Sequence, residues 1–289
     1  MKPKTKVLLY SVIFNICSLT FAFDWPQNLL GDDFEMYFGQ IRGELLSPSL
    51  IFKNKAEIKA SSTGTTAAVI GSHSQEMGWF PSTLGDAVLL GHENNLITVY
   101  ANLDKDTISP LVKTENLVSE GKIIASSGNS AWQTSDSGLE FQVLDTKNKA
   151  MINPRLLLPR LQSEKPYYIG QVTIDDKNKN SYNLSSVKAL YAGQYSLYRE
   201  KDTLNIPYKI TITINGELKH TVQFDSLSVS DKHITVGGNS YLNSLNMYPD
   251  SKRQLIGSVN LMRGRNLITI TLTNILGETK TASYAIDVN

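Results

Sequence analysis

The sequence predicts an all-β protein, and three observations carry that expectation. Apolar and polar residues alternate with period two over long stretches. Asn-Gly and other glycine turns separate those stretches, and nothing of useful length has a helical period except Asn153 to Leu161. With 289 residues the chain is long enough for two domains. Hydrophobic residues at 41% against charged residues at 19% suit packed cores rather than disorder. Lys+Arg 28 nearly balances Asp+Glu 27, and no basic cluster is visible, so a nucleic-acid binder or a polybasic membrane binder is not expected.

The first element is a leader. Lys2, Lys4 and Lys6 precede an apolar run from Val7 to Phe21, and Thr20-Phe21-Ala22 has the small-x-small form of a cleavage site. The run is short, and Asn15 and Ser18 interrupt it, which argues against a membrane span. Residues 1–22 therefore read as a secretory signal peptide. The protein is expected to be exported, periplasmic or at the cell surface, with no transmembrane span once the signal is removed. Removal takes away three Lys and no acidic residue, turning a formal +1 into −2. It also takes away Cys17, so no thiolate metal site is available to the mature chain. Ile16 stands where lipid attachment at Cys17 would need a small residue.

Residues 23–162 form the expected first domain, with short strands and many Gly and Ser loops. A polar stretch, Leu161-Gln162-Ser163-Glu164-Lys165-Pro166, follows Asn153-Pro154 and Pro159 and marks the boundary. In residues 163–289 the alternation is plain. Tyr208, Ile210, Ile212 and Ile214 alternate with Lys209, Thr211 and Thr213 before Asn215-Gly216, a strong hairpin signal. Ile268, Ile270 and Leu272 alternate with Thr269, Thr271 and Thr273 after Gly264, and Tyr284, Ile286 and Val288 follow Gly277. This reads as an antiparallel, Ig-like β-sandwich of about 120 residues.

Function is legible mainly between Leu84 and Leu158. Gly85-Asp86-Ala87-Val88-Leu89-Leu90-Gly91-His92 leads into Leu96-Ile97-Thr98-Val99-Tyr100-Ala101-Asn102-Leu103. Then come Leu117-Val118-Ser119-Glu120-Gly121, Ser127-Gly128-Asn129-Ser130, Gly138-Leu139-Glu140-Phe141-Gln142-Val143 and Asn153-Pro154. In this order and spacing the segments resemble the M23, LytM-like family of zinc endopeptidases that cleave peptidoglycan. The family's pattern is a strand ending Tyr-Ala-His-Leu, a Val-x-x-Gly turn, a Gly-containing loop, a His-Leu-His-Phe-Glu strand and a closing Asn-Pro.

The resemblance implies one zinc, held by an early His-x-x-x-Asp segment and the second His of His-x-His, with two further histidines assisting the bound water. Here Asn102 stands at the strand position, Gly138 at the first His and Glu140 at the second, and Arg42 to Lys55 contains neither His nor Asp. Only His92 matches a family histidine, one that is not a ligand. Catalytic zinc needs three protein ligands and an open position. Without metal no Lewis acid polarises the peptide carbonyl, and no water pKa is lowered. No cofactor is expected, although the family implies zinc, and no catalytic or metal residue is assigned. A rebuilt site would have to gather His73 and His92 with Glu76, Asp86 or Glu93.

The expectation is a pseudoenzyme: a non-catalytic, M23-peptidase-like cell-envelope protein that binds peptidoglycan or regulates a cell-wall hydrolase. Degenerate members of the family act as activators of cell-wall amidases. Candidate groove-lining residues are Tyr100, Asn102, Trp132, Glu140 and Gln142: hydrogen bonds from Asn102 and Gln142, an acceptor at Glu140, and stacking from Trp132. Trp132 could equally pack its own loop onto the sheet, and Trp79-Phe80-Pro81 is similar. Two alternatives stand beside this reading: a zinc metalloendopeptidase with relocated ligands, and a structural or surface-interaction protein that uses the C-terminal sandwich.

Overall fold

Strand pairing follows the alternation. The computed structural model describes residues 23–29, 34–71, 82–115, 117–133, 136, 138–202 and 206–289. The expected signal peptide, His73, Glu76 and Trp79-Phe80-Pro81 lie outside the described residues. The described chain is all-β, with two one-turn helices, α1 at Leu111–Thr114 and α2 at Ser244–Met247. The Asn153 to Leu161 stretch gives a single 3-10 turn at Pro154–Leu156, opened by the Asn153 side chain accepting from Arg155 N.

The first half contributes β1 (Phe34–Met36), β2 (Ile41–Arg42), β3 (Leu45–Leu46), β4 (Leu50–Phe52), β5 (Glu57–Lys59) and β6 (Thr65–Ile70). It continues with β7 (Ala87–Gly91), β8 (Leu96–Ala101), β9 (Ile123–Ser126), β10 (Glu140–Asp145) and β11 (Ala150–Ile152). Strands β6, β7, β8, β10 and β11 lie side by side in an antiparallel sheet, with β4 also on β10 and β1 on β4. β10 is buried on both faces over Glu140 to Val143. One face carries Tyr100, Phe141 and Val143 into a core with Leu50, Phe52 and Val88. Ala87, Val99 and Ala101 form a smaller apolar cluster with Leu89 and Ile97.

The second half contributes β12 (Val172–Asp175), β13 (Ser181–Asn183), β14 (Ala189–Leu190), β15 (Gly193–Glu200), β16 (Lys209–Ile214) and β17 (Glu217–Gln223). After these come β18 (Ser226–Ser230), β19 (His233–Val236), β20 (Arg253–Leu261), β21 (Gly264–Thr273) and β22 (Thr279–Val288). A sheet in the order β13-β12-β15-β20 faces one in the order β14-β22-β21-β16-β17. Ile210, Ile212, Ile268, Ile270 and Leu272 are buried between them, with Ile174, Leu197 and Leu255. The intervening threonines face outward, where Thr271 Oγ1 meets Thr281 Oγ1 at 3.2 Å. Asn215 and Gly216 both take positive φ, 51° and 85°, as a two-residue hairpin turn of this twist requires.

The two halves do not meet end to end. The hairpin β18–β19, which lies in sequence within the sandwich, pairs with β11 through Ala150↔Ser228 and Met151↔Leu227 and completes a nine-stranded sheet. In return the segment around β2–β3 enters the sandwich core, where Phe38 and Leu46 are buried. Gly39 lies so close to Phe224 that a Cβ there would stand 2.5 Å from its ring. Ser244 Oγ donates to Glu44 O at 2.5 Å. Each half thus lends a hairpin to the other.

At the open edge of the sandwich β17 packs across onto β20, and His220 sits on Gly257 and Ile212. His220 Nε2 is buried without a hydrogen-bond partner among the described residues, and burial holds the imidazole below its ordinary pKa. The stability that depends on neutral His220 is fully present above the unfolded value of about 6.5. As pH falls below that value the unfolded chain takes the proton first, so stability is lost until the folded pKa is passed. Urea midpoints should therefore decline between pH 7.5 and about 5.5, and His220→Gln should flatten the slope. An unchanged slope in the variant would remove His220 as its source.

Candidate functional site

Glu140 is the first residue of β10 and is 1% exposed. A carboxylate buried this far must be paired and hydrogen-bonded, and it is. Arg42 Nη1 donates to its Oε1 at 2.8 Å, and Ser49 Oγ donates at 2.6 Å. Gln142 Nε2 donates to the same oxygen at 3.3 Å, and Gln133 Nε2 donates to Oε2 at 3.3 Å. Gln142 Nε2 also reaches Ser49 Oγ at 2.9 Å. Arg42 spans two acceptors, because its Nη2 donates to Trp132 O at 2.6 Å.

Beside this cluster the backbone is closed. Gly138 N donates to Phe52 O at 2.8 Å, and a Cβ on Gly138 would stand 2.1 Å from Asn54 O. No side chain fits at the position where the resemblance looks for the first histidine of His-x-His.

Asn102 follows β8 with a φ of +62°, a left-handed conformation that Asn adopts more readily than most residues. The turn points its buried amide at the loop ahead of β10. Nδ2 donates to Gly138 O at 2.8 Å and to Gln133 Oε1 at 3.2 Å, while Oδ1 accepts from Ala131 N at 3.0 Å. Ser130 Oγ adds a bond to Leu103 O at 2.8 Å, and Ser127 Oγ accepts from Ala56 N at 2.8 Å. The Ser127 to Gln133 loop is therefore stapled along its length. Trp132 sits on it 60% exposed, its N–H donating to Thr83 O at 3.1 Å.

Four of the five expected groove-lining residues are corrected by this geometry: Tyr100, Asn102, Glu140 and Gln142 are all buried, and only Trp132 faces solvent. The register gives the reason for Tyr100. It pairs with Phe141, so it lies on the opposite face of the sheet from Glu140 and Gln142, which pair with Ala101 and Val99. Its ring meets that of Phe141 at a tilt, centroids 5.3 Å apart, its Oη accepts from Ser61 N at 2.8 Å, and burial raises its pKa. Asn102, Glu140 and Gln142 spend their hydrogen bonds inside the fold. Arg42 and Ser49, which the sequence reading passed over, are brought to the site instead. The usable signal was the carboxylate itself: an acid at an inward strand position demands a cation, and Arg42 is the only Arg between 42 and 55.

A zinc ion does not fit these residues. A metal needs lone pairs directed at it, whereas Arg42, Ser49, Gln133 and Gln142 all direct hydrogens at Glu140. Among the described residues no group of three or more His, Cys, Asp or Glu could hold a metal. His92 is engaged on both nitrogens, Nδ1 with Thr63 O at 3.0 Å and Nε2 with Thr98 Oγ1 at 2.8 Å. Burial lowers its pKa, which favours the neutral ring. Of the other candidates for a relocated site, His73 and Glu76 lie outside the described residues, and Asp86 and Glu93 form no group of three with His92. Ser49 beside Glu140 has the atoms of a nucleophile and a base, yet it is fully buried and no substrate can reach it. Among the described residues no helix is long and apolar enough to cross a membrane.

Fold and site together define an all-β domain with an internal polar cluster gathered around Glu140. Residues 50–154 match the sequence model of peptidase family M23, and this part of the chain is an M23-peptidase-like domain. A second family model, which carries no functional description, matches residues 166–289. No curated protein matches the chain. Among solved structures, a zinc-containing peptidase from Vibrio cholerae is 22% identical over 43% of this chain and 36% of that one, with a TM-score of 0.34. A mutant catalytic domain of the prophage-encoded M23 protein EnpA from Enterococcus faecalis is 19% identical over 45% of this chain and 93% of that one, TM-score 0.35. A chain of the SpoIIQ–SpoIIIAH pore-forming complex is 20% identical over 52% of this chain and 99% of that one, TM-score 0.36. The chain thus spans about a third of the length of the Vibrio peptidase.

Gly138→Ala tests the closure directly. The added methyl meets backbone rather than a flexible side chain, so the expected loss is about 3 kcal/mol of unfolding free energy, read from urea denaturation. A loss within error of zero would show that the position is open.

Proposed function

We propose that this chain is an exported, non-catalytic, M23-like protein of the cell envelope that binds peptidoglycan or a cell-wall hydrolase. One observation carries the reading: in a peptidase-family domain, the position of the ligand histidine holds a carboxylate that is buried, paired with Arg42 and closed off from substrate. A domain retained without its chemistry keeps a surface, and Trp132 supports a binding role for it. The indole is exposed while its backbone is fixed at both N–H and C=O. Little ordering is then left to be done on binding, and the aromatic face suits a sugar ring or a peptide plane. Export is supported by residues 1–22 and by the absence of cysteine beyond them, which removes the hazard of mispairing in an oxidising compartment.

Residues 23–289 should co-sediment with purified sacculi or bind a purified cell-wall amidase. Trp132→Ala should weaken that binding about tenfold, the scale of one aromatic contact. Muropeptides should survive incubation with the protein whether zinc or chelator is added. Absence of both kinds of binding, or cleavage that stops on chelation, would end the proposal.

A further inference from the structure

The cluster at Glu140 also joins the two halves of the molecule. Arg42 belongs by sequence to the first half, but the hairpin that carries it is seated in the second. Leu46 is buried in the sandwich core and Ile41 packs against it. Ser244 Oγ and Tyr248 Oη donate to Glu44 O and Gly39 O, at 2.5 and 3.4 Å. From that seat the guanidinium crosses to Glu140 on the central sheet and to the carbonyl of Trp132. Its planar fork lets one group hold two acceptors on different segments, which the single ammonium of a lysine does less well.

We infer that Arg42 is the resident cation of this centre, a side-chain replacement for the metal ion that the family resemblance implies, and that it locks the sandwich to the Trp132 loop. A metal ion in such a place gathers ligands from separate segments. Arg42 gathers an acid from β10 and a carbonyl from the Ser127 to Gln133 loop, while Ser49, next to β4, binds the same acid. The polarity of the surroundings has been inverted to match. Where a metal would require electron pairs, four side chains present hydrogens to one carboxylate, and a free divalent cation would be repelled by the guanidinium already there. The inference concerns the centre itself and stands whichever envelope component the protein binds.

The test compares wild type, Arg42→Gln, Glu140→Gln and the double variant by thermal unfolding and amide hydrogen exchange. Arg42→Gln should lower the melting temperature and speed exchange at Ala131 to Gln133 and over residues 41–46, because it strands a buried acid. The double variant should recover part of that loss, since a neutral amide pair leaves no uncompensated charge. Millimolar methylguanidinium should raise the melting temperature of Arg42→Ala, and zinc should not. If the Gln and Ala variants do not fold, Arg42→Lys keeps the charge; faster exchange at Ala131 to Gln133 in that variant supports the lock. The inference is overturned if micromolar zinc stabilises the wild type, or if Arg42→Gln changes neither melting nor exchange. It is equally overturned if the double variant is as unstable as the two single losses added, or if Arg42→Lys exchanges like wild type.

Discussion

Burial of the Glu140 carboxylate is the constraint on which the site and the domain arrangement both turn. An isolated ionised acid in a protein interior is prohibitively unfavourable, so the fold must bring a cation and further donors to it. Arg42, Ser49, Gln133 and Gln142 meet that demand, and together they come from three separate stretches of chain. The early segment, the loop ahead of β10 and β10 itself are fixed relative to one another as a result. Because the early segment is also seated in the sandwich, satisfying one acid orients two domains.

The exchange of hairpins reinforces that arrangement. A sheet ending at β11 would present unpaired N–H and C=O groups, an edge open to unwanted pairing. β18 covers it in antiparallel register from Ser226 to Ser228. The sandwich in turn would lack part of its core without Phe38 and Leu46. Neither half has a complete set of contacts in its own sequence. Division of the chain near residue 162 therefore describes the order of the sequence better than it describes the packing.

The parts legible in the sequence were those written in short-range patterns. Alternation from Tyr208 to Ile214 and from Ile268 to Thr273 marks strands because each residue's face depends only on its neighbours. The order of segments from Leu84 to Leu158 carries the family for a related reason, since each is a local signature. The site was less legible. Tyr100 falls on the core face because of its pairing with Phe141, a register that composition does not specify. Asn102 escapes the alternation because its positive φ turns the chain away from the strand. The Arg42–Glu140 pair joins residues 98 apart in sequence, and no periodicity connects them.

Replacement of a metal centre by an ion pair changes what the fold depends on. A zinc site ties protein stability to metal supply and to ligand protonation. A guanidinium is part of the chain and cannot be lost to a competing chelator. It also has no vacant coordination position, so it can hold the strands together but cannot accept a substrate oxygen as a Lewis acid. The Arg42–Glu140 pair therefore ties its segments together through side chains of the chain itself. Gly138, closed against the Asn54 carbonyl, and Asn102, binding the loop from within, complete the packing beside the pair. Trp132 stays at the surface beside this cluster, on a loop held by hydrogen bonds at its backbone N–H and C=O.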